Sequence, residues 1–323
     1  MKTTKIWMLS ILSLAMFAVS CNNEDPVNEA KLLVEYLESV DGGDYANTAM
    51  PAIKLADHVK TLNTAGTNYI IDIRKPADFV LGHIENAVNV GSSDLLTHLE
   101  GTTDDDGKDE IHIVCYSGQT AGWATSLLRM AGYDNVYSMK FGMCSWHADF
   151  AGSWNDNIGN ARSSVFTSDA TAKGAAGDLP VLNTGLTTGA DILAARIDDV
   201  FEAGFGAVAV GNDAVYQALD NYYIVNYWGP SDYSDIGHIE GAMQYTPKEA
   251  IALDADLKTL STDKTVVVYC WTGQTSANMA AYLSVIGYDV KSLKFGANGM
   301  VYDDLPSHKW SAGAIFGYDY VTD

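Results

Sequence analysis

The chain repeats itself once along its length. The segment Gly82–Ala87 (GHIENA) recurs as Gly237–Ala242 (GHIEGA), and Cys115–Ala121 (CYSGQTA) recurs at the same offset as Cys270–Ser276 (CWTGQTS). Several matched blocks at one spacing indicate a tandem duplication. Since 323 residues are enough for two ordinary domains, we predict two domains of the same fold.

A stretch rich in Ser, Thr, Ala and Gly separates the two copies, and its composition is typical of a linker. We therefore predict a first domain over residues 21–165, a linker over 166–177 and a second domain over 178–323. An N-terminal signal over residues 1–20 precedes them.

Within each copy, short β-branched runs alternate with helix-forming runs. Tyr69–Ile73 and Ile111–Val114 have the composition of buried strands, and Ala121–Met130 has that of a helix. The alternation predicts an α/β fold, in which each domain is a mainly parallel β-sheet flanked by helices.

The N-terminus has the features of an export signal. Lys2 and Lys5 precede the apolar run Ile6–Val19, which is shorter than a typical transmembrane helix. The run leads into Ser20 and Cys21, and this ending resembles the bacterial lipobox. The resemblance implies that Cys21 is lipidated and that the protein is exported and anchored to the cell envelope by its lipid. It implies a position at the outer membrane, on the periplasmic or the surface side, with membrane contact through the anchor only. The alternative is an ordinary signal peptide followed by an incidental cysteine.

Charge and cysteine content narrow the function classes. The formal net charge of −22 disfavours nucleic acid and anionic membrane surfaces as partners, because both attract positive charge. Beyond Cys21 three cysteines remain, an odd number that disfavours a disulfide framework. The spacing of His and Cys residues matches no common metal motif, so we predict no metal, and the chemistry below requires no organic cofactor.

Each repeat places a cysteine directly after a buried strand, where open α/β sheets bind ligands. We predict Cys115 and Cys270 as nucleophiles. The loop after Cys115 leads into a helix, so its backbone N–H groups and the helix dipole should surround the sulfur and lower the pKa of the thiol. The predicted substrate-binding loop comprises Tyr116, Ser117, Gly118, Gln119 and Thr120.

At these residues the chain resembles the rhodanese-like sulfurtransferase superfamily. Asp72–Phe79 (DIRKPADF) is similar to its strand-end motif, Gly82–Ile84 to its Gly-His-Ile signature, and the six-residue loop from Cys115 has the length found in its sulfurtransferases. The resemblance implies that a sulfane sulfur passes through a cysteine persulfide, from a small donor to a thiol or cyanide acceptor. A phosphatase of the same fold is disfavoured, because Ala121 and Ser276 stand where its phosphate-binding arginine would be.

The two repeats differ around the cysteine. Asp72 and Arg74 of the first are replaced by Asn226 and Trp228 in the second, so we rank Cys115 above Cys270. Arg74 is a candidate for substrate orientation or for a structural ion pair. The loops lack basic residues after the cysteine, which disfavours the thiosulfate dianion and favours neutral or thiol-borne sulfur.

Cys144 is a candidate resolving thiol, with a buried bystander as its alternative. Two other function classes therefore stay open. The chain could be a non-catalytic rhodanese-like binding module on the cell envelope, or a thiol redox protein that uses Cys115 and Cys144.

Overall fold

The computed structural model describes residues 27–323. The predicted signal over residues 1–20 and the predicted lipidation site Cys21 lie outside the described residues. Within residues 27–323, no helix has the length and apolar character needed to cross a membrane.

The first half folds into a five-stranded parallel sheet with helices packed around it. Its strands lie in the order β1-β5-β4-β2-β3 and every neighbouring pair is parallel. The strands are β1 (Ile53–Lys54), β2 (Asn68–Asp72), β3 (Val88–Asn89), β4 (Glu110–Val114) and β5 (Val136–Met139). The helices are α1 (Glu29–Leu37), α2 (Tyr45–Thr48), α3 (Ala56–Ala65), α4 (Pro76–Phe79), α5 (Leu95–Gly101), α6 (Gln119–Met130), α7 (Met143–Trp146) and α8 (Gly152–Asn155).

The second half repeats this architecture after a short strand, β6 (Phe166–Thr167). Its parallel sheet has the order β10-β8-β11-β12-β7, which matches the first sheet strand for strand. The strands are β7 (Ala209–Val210), β8 (Tyr222–Asn226), β9 (His238–Ile239), β10 (Met243–Gln244), β11 (Thr265–Tyr269) and β12 (Val290–Leu293). The helices are α9 (Gly189–Val208, broken at Gly204), α10 (Asn212–Tyr216), α11 (Pro230–Asp235) and α12 (Gln274–Ile286). The predicted duplication and α/β class are confirmed.

Helices α6 and α12 pack against each other and join the two domains. Almost every side chain of both helices is buried, because one face covers the helix's own sheet and the other meets the partner helix. Trp123 and Leu127 of the first domain share one apolar core with Met279 and Leu283 of the second. The interface is therefore built like a domain interior.

The two domains also exchange their C-terminal segments. Thr167, directly after the first domain, pairs antiparallel with His238 of the second. Val321, near the end of the second domain, forms the corresponding antiparallel bridge with His83 of the first. The predicted linker 166–177 thus begins as a strand on the second domain.

Candidate active site

Cys115 lies at the carboxyl end of β4, at the start of the loop that leads into α6. Its side chain is 3% exposed, and its Sγ accepts hydrogen bonds from the backbone N–H of Gly118 at 3.1 Å and of Ala121 at 3.4 Å. Gly118 has a φ of +87°, a left-handed conformation that glycine adopts without strain. The predicted cradle of amide groups around the sulfur is present.

The pKa of Cys115 differs from our expectation. Burial raises the pKa of this thiol above its usual range, although the backbone N–H groups of Ala121, Gly118 and Ser117 oppose the shift. The negative charge of Asp72 adds to the increase. The prediction of a lowered pKa was wrong because the thiol is buried, and desolvation of a thiolate outweighs a few amide hydrogen bonds.

A tight turn after β5 supports the loop from behind. Gly142 has a φ of +58°, and a Cβ atom there would lie 2.7 Å from the amide nitrogen of Gly118. Next to it, Met143 donates its N–H to the Cys115 carbonyl at 2.9 Å, and Cys144 donates to the Tyr116 carbonyl at 3.2 Å. The turn can approach this closely only with glycine at position 142.

Tyr116 forms the exposed rim of the site and is 39% exposed. Its hydroxyl donates to the Asp78 carboxylate and accepts a hydrogen bond from the Lys75 backbone N–H at 3.2 Å. These contacts tie the loop to the segment after β2, and they fix the ring at the entrance.

The other predicted loop residues have different environments. Ser117 is buried, and its Oγ accepts a hydrogen bond from the Gln119 side-chain amide at 3.1 Å. Thr120 is partly exposed in the first turn of α6. The Gln119 side chain points across the domain interface, where its Oε1 accepts the Phe295 backbone N–H at 2.9 Å. We therefore assign the Gln119 side chain a contact between domains, and its role in substrate binding stays a prediction.

Sequence reasoning missed that this contact is reciprocal. Gln274, the counterpart of Gln119, accepts the Phe141 backbone N–H at 3.0 Å. Its amide also occupies the space that a side chain at Gly118 would need. The repeated Gly-Gln pair in both loops was the available signal, and it marks loops that contact each other across the interface.

Arg74 forms a buried ion pair with Asp72. Its Nη2 lies 2.7 Å from the Asp72 Oδ2 and donates to the Gly82 carbonyl at 2.6 Å. Both side chains are at most 2% exposed, and the guanidinium lies 5.3 Å from the Phe150 ring centroid. Of the two predicted roles for Arg74, the geometry favours the structural ion pair.

Cys270 occupies the same position in the second domain, at the end of β11. Its Sγ accepts the Ser276 backbone N–H at 3.3 Å, and the Ser276 hydroxyl lies 3.7 Å from the sulfur. Trp271 at its rim packs on Trp228, with ring centroids 4.9 Å apart. An aromatic pair therefore replaces the hydrogen-bonded Tyr116 rim of the first site.

Cys144 is fully buried behind the Cys115 loop. Its thiol donates to the Phe150 carbonyl at 3.0 Å, and burial raises its pKa to about 12. Cys115, Cys144 and Cys270 are all free thiols in the structure. Asn298, the counterpart of Cys144, instead donates to the Trp271 carbonyl at 2.7 Å. The role of Cys144 as a resolving thiol stays a prediction.

Comparison with known proteins agrees with this architecture. The sequence profile of the rhodanese-like domain matches residues 54–149 and again residues 212–301, which together are more than half of the chain. The chain belongs to the rhodanese-like domain family. The thiosulfate sulfurtransferase GlpE of Shewanella oneidensis is 37% identical over 78 residues, which are 24% of this chain and 74% of that protein.

Two solved structures also match parts of this chain. The thiosulfate sulfurtransferase from Pseudomonas aeruginosa has 19% identity and a TM-score of 0.31, over 88% of this chain and 49% of that one. A rhodanese-like domain protein from Staphylococcus aureus has 20% identity and a TM-score of 0.25, over 28% of this chain and 86% of that one. The predicted tandem rhodanese-like organisation is confirmed by the two profile matches.

Proposed function

We propose that the protein is a sulfurtransferase that moves sulfane sulfur through a persulfide on Cys115. The observation that carries the proposal is the amide cradle around the Cys115 Sγ, formed by Gly118 and Ala121 at the start of α6. Such a cradle offsets part of the cost of burying a sulfur atom that carries negative charge, as both a thiolate and a persulfide do.

The reaction requires two displacements at sulfur. The Cys115 thiolate attacks the outer sulfur of a polysulfide or thiol persulfide, the S–S bond of the donor breaks, and the electron pair leaves with the donor thiolate. A thiol or cyanide then attacks the outer sulfur of the Cys115 persulfide. The bond between the Cys115 sulfur and the transferred sulfur breaks, and its electron pair stays with Cys115 as a thiolate. The acceptor leaves as a persulfide or as thiocyanate. One neutral sulfur atom moves, so the cycle needs no external oxidant.

The surroundings of the two cysteines support Cys115 as the main site. Its loop is fixed by Tyr116 to the segment that carries the buried Asp72–Arg74 pair. At the second site the Ser276 hydroxyl contacts the sulfur. We expect this hydroxyl to occupy space that an added sulfur atom would need.

Mass spectrometry of the intact protein tests the proposal. After exposure to a polysulfide, the Cys115 peptide should gain one sulfur atom and lose it on addition of cyanide. Cys115→Ser should remove most of the sulfur transfer and Cys270→Ser little of it. If Cys115 stays unmodified with thiosulfate, polysulfide and a thiol persulfide, the enzyme proposal fails and the binding-module alternative becomes the better one.

The redox alternative has less support. A Cys144 pKa of about 12 keeps this thiol protonated at neutral pH, and its hydrogen is held by the Phe150 carbonyl. A resolving thiol must itself become a thiolate to attack. If a Cys115–Cys144 disulfide forms during turnover and disappears in Cys144→Ser together with activity, the redox alternative is correct.

We also propose that the protein is anchored to the envelope through Cys21, on the basis of the lipobox-like sequence. In a Gram-negative host, the wild-type protein should partition into the membrane fraction and Cys21→Ser should not. A wild-type protein that is soluble, with an unmodified N-terminus, would refute the anchor without affecting the sulfurtransferase proposal.

A further inference from the structure

Three potential metal ligands meet at the amino end of β4, on the side of the first sheet that α3 covers. The Glu110 Oε2 lies 2.8 Å from the His58 Nε2 and 3.0 Å from the His112 Nε2. The ligand atoms of all three residues lie within 4.8 Å of one another. The cluster is at the opposite end of β4 from Cys115, so it is separate from the sulfur chemistry.

His112 has an unsatisfied nitrogen in this cluster. Its side chain is 0% exposed, and its Nε2 forms no well-aligned hydrogen bond with any of residues 27–323, since the 3.0 Å contact with the Glu110 Oε2 is poorly aligned. A buried polar atom whose one polar contact is poorly aligned costs free energy. A cation bound to this nitrogen would satisfy it.

The neighbouring Asn68 has a second unsatisfied atom. Its Oδ1 is buried and accepts no hydrogen bond from any of residues 27–323, and its Nδ2 lies 3.3 Å from the His112 Nδ1. When Nε2 of a histidine binds a metal, Nδ1 carries the proton and needs an acceptor. Rotation of the Asn68 amide would supply Oδ1 as that acceptor, at the expense of its 3.2 Å bond to the Val59 carbonyl.

The second domain shows that the fold does not require this cluster. At the same register positions of β11, Thr265 replaces Glu110 and Val267 replaces His112. Val267 is fully buried, so an apolar side chain fills the place without difficulty. The first domain instead holds an imidazole there beside a carboxylate and a second imidazole.

From this geometry we propose that His58, Glu110 and His112 form a binding site for a divalent transition metal ion, zinc in the first instance. Two imidazole nitrogens and one carboxylate oxygen are a ligand set that zinc accepts, with the fourth position left to water. The remaining Glu110 oxygen is held by the Lys54 ammonium at 3.0 Å, which orients the carboxylate for the metal. The ion would link α3 to β4.

Zinc titration of the purified full chain by calorimetry tests the site, after treatment with a chelator. We expect one zinc ion per chain in the wild type and a loss of affinity of more than about tenfold in His112→Val, which copies the second domain. His98→Gln removes a histidine outside the cluster and should leave the affinity unchanged. Circular dichroism checks folding, and His58→Ala is a second variant in case His112→Val does not fold.

Cobalt absorption distinguishes this site from the cysteines. The wild-type protein should give ligand-field bands without the thiolate charge-transfer bands that cysteine coordination produces. Zinc should also raise the unfolding temperature of the wild type and not that of His112→Val. Absence of one-equivalent binding, equal binding by His112→Val and His58→Ala, or a thiolate spectrum would overturn the proposal.

Discussion

The buried Asp72–Arg74 ion pair is present only in the first domain, and its contribution to the free energy of unfolding can be measured. The Asp72 carboxylate accepts three kinds of N–H from Arg74: the backbone N–H at 3.0 Å, Nε at 3.0 Å and Nη2 at 2.7 Å. Asp72→Asn copies Asn226 of the second domain. The amide oxygen can still accept the backbone bond, but the charge is gone and the amide NH₂ group faces the guanidinium.

Removing one partner of a buried ion pair typically lowers the free energy of unfolding by about 3 to 5 kcal/mol, because the remaining charge stays buried without its partner. Solvent screening does not reduce this much here, since the two side chains are 1% and 2% exposed. Arg74 keeps its 2.6 Å bond to the Gly82 carbonyl, so we expect the lower limit, a destabilisation of about 3 kcal/mol.

Urea unfolding followed by tryptophan fluorescence measures this loss. Asp78→Asn serves as the control, because it removes a carboxylate at the rim and should cost less than about 1 kcal/mol. The double variant Asp72→Asn/Arg74→Met removes the stranded charge and should recover most of the stability. A single variant within about 1 kcal/mol of the wild type, or a double variant less stable than the single one, would refute the reasoning.

Three further predictions concern the loops. Burial raises the pKa of Cys115, so its thiolate should form at higher pH than that of an ordinary cysteine, whose pKa is about 8.5. In a Cys144→Ser background, the rate of iodoacetamide labelling should therefore rise with pH later than the rate for a free cysteine in the same buffers. A rate that rises at lower pH than that of the free cysteine would contradict the shift. Gly118→Ala should lower the free energy of unfolding by about 1 to 3 kcal/mol, measured in urea, because a Cβ is strained at the positive φ of this position and overlaps the Gln274 amide. A neutral effect would place the two loops further apart. Gln274→Leu leaves the buried Phe141 N–H without its acceptor and should lower the free energy of unfolding by about 1 to 3 kcal/mol. Because Phe141 belongs to the turn that supports the Cys115 loop, the variant should also form less persulfide on Cys115. An unchanged persulfide yield would show that the two loops act independently.

The sequence predicted the features that depend on local pattern. The repeated Gly-His-Ile and Cys-loop blocks specified two copies of one α/β fold, and the strand-loop-helix order placed Cys115 at a cradle of amide groups. These predictions succeeded because a strand end followed by a glycine turn and a helix dictates the direction of its own N–H groups.

Features that depend on packing between distant segments could not be predicted. The sign of the Cys115 pKa shift follows from how deeply the folded chain buries the thiol, which no local pattern encodes. Gln119 was placed in the substrate loop by its position, whereas the fold directs its side chain to Phe295. His58 and His112 are far apart in the chain, and only the packing of α3 on β4 brings them together.

The reciprocal bridges of Thr167 with His238 and of Val321 with His83 have a consequence for how the halves relate. Each half pairs a short C-terminal segment with the Gly-His-Ile segment of the other, as two identical subunits do when they swap their C-terminal arms in a symmetric dimer. A single ancestral domain with such an arm would have gained the same contacts by pairing with a second copy. Duplication and fusion would then have made the pairing permanent within one chain, leaving the copies free to diverge at Asn226 and Trp228 while the shared framework stayed intact.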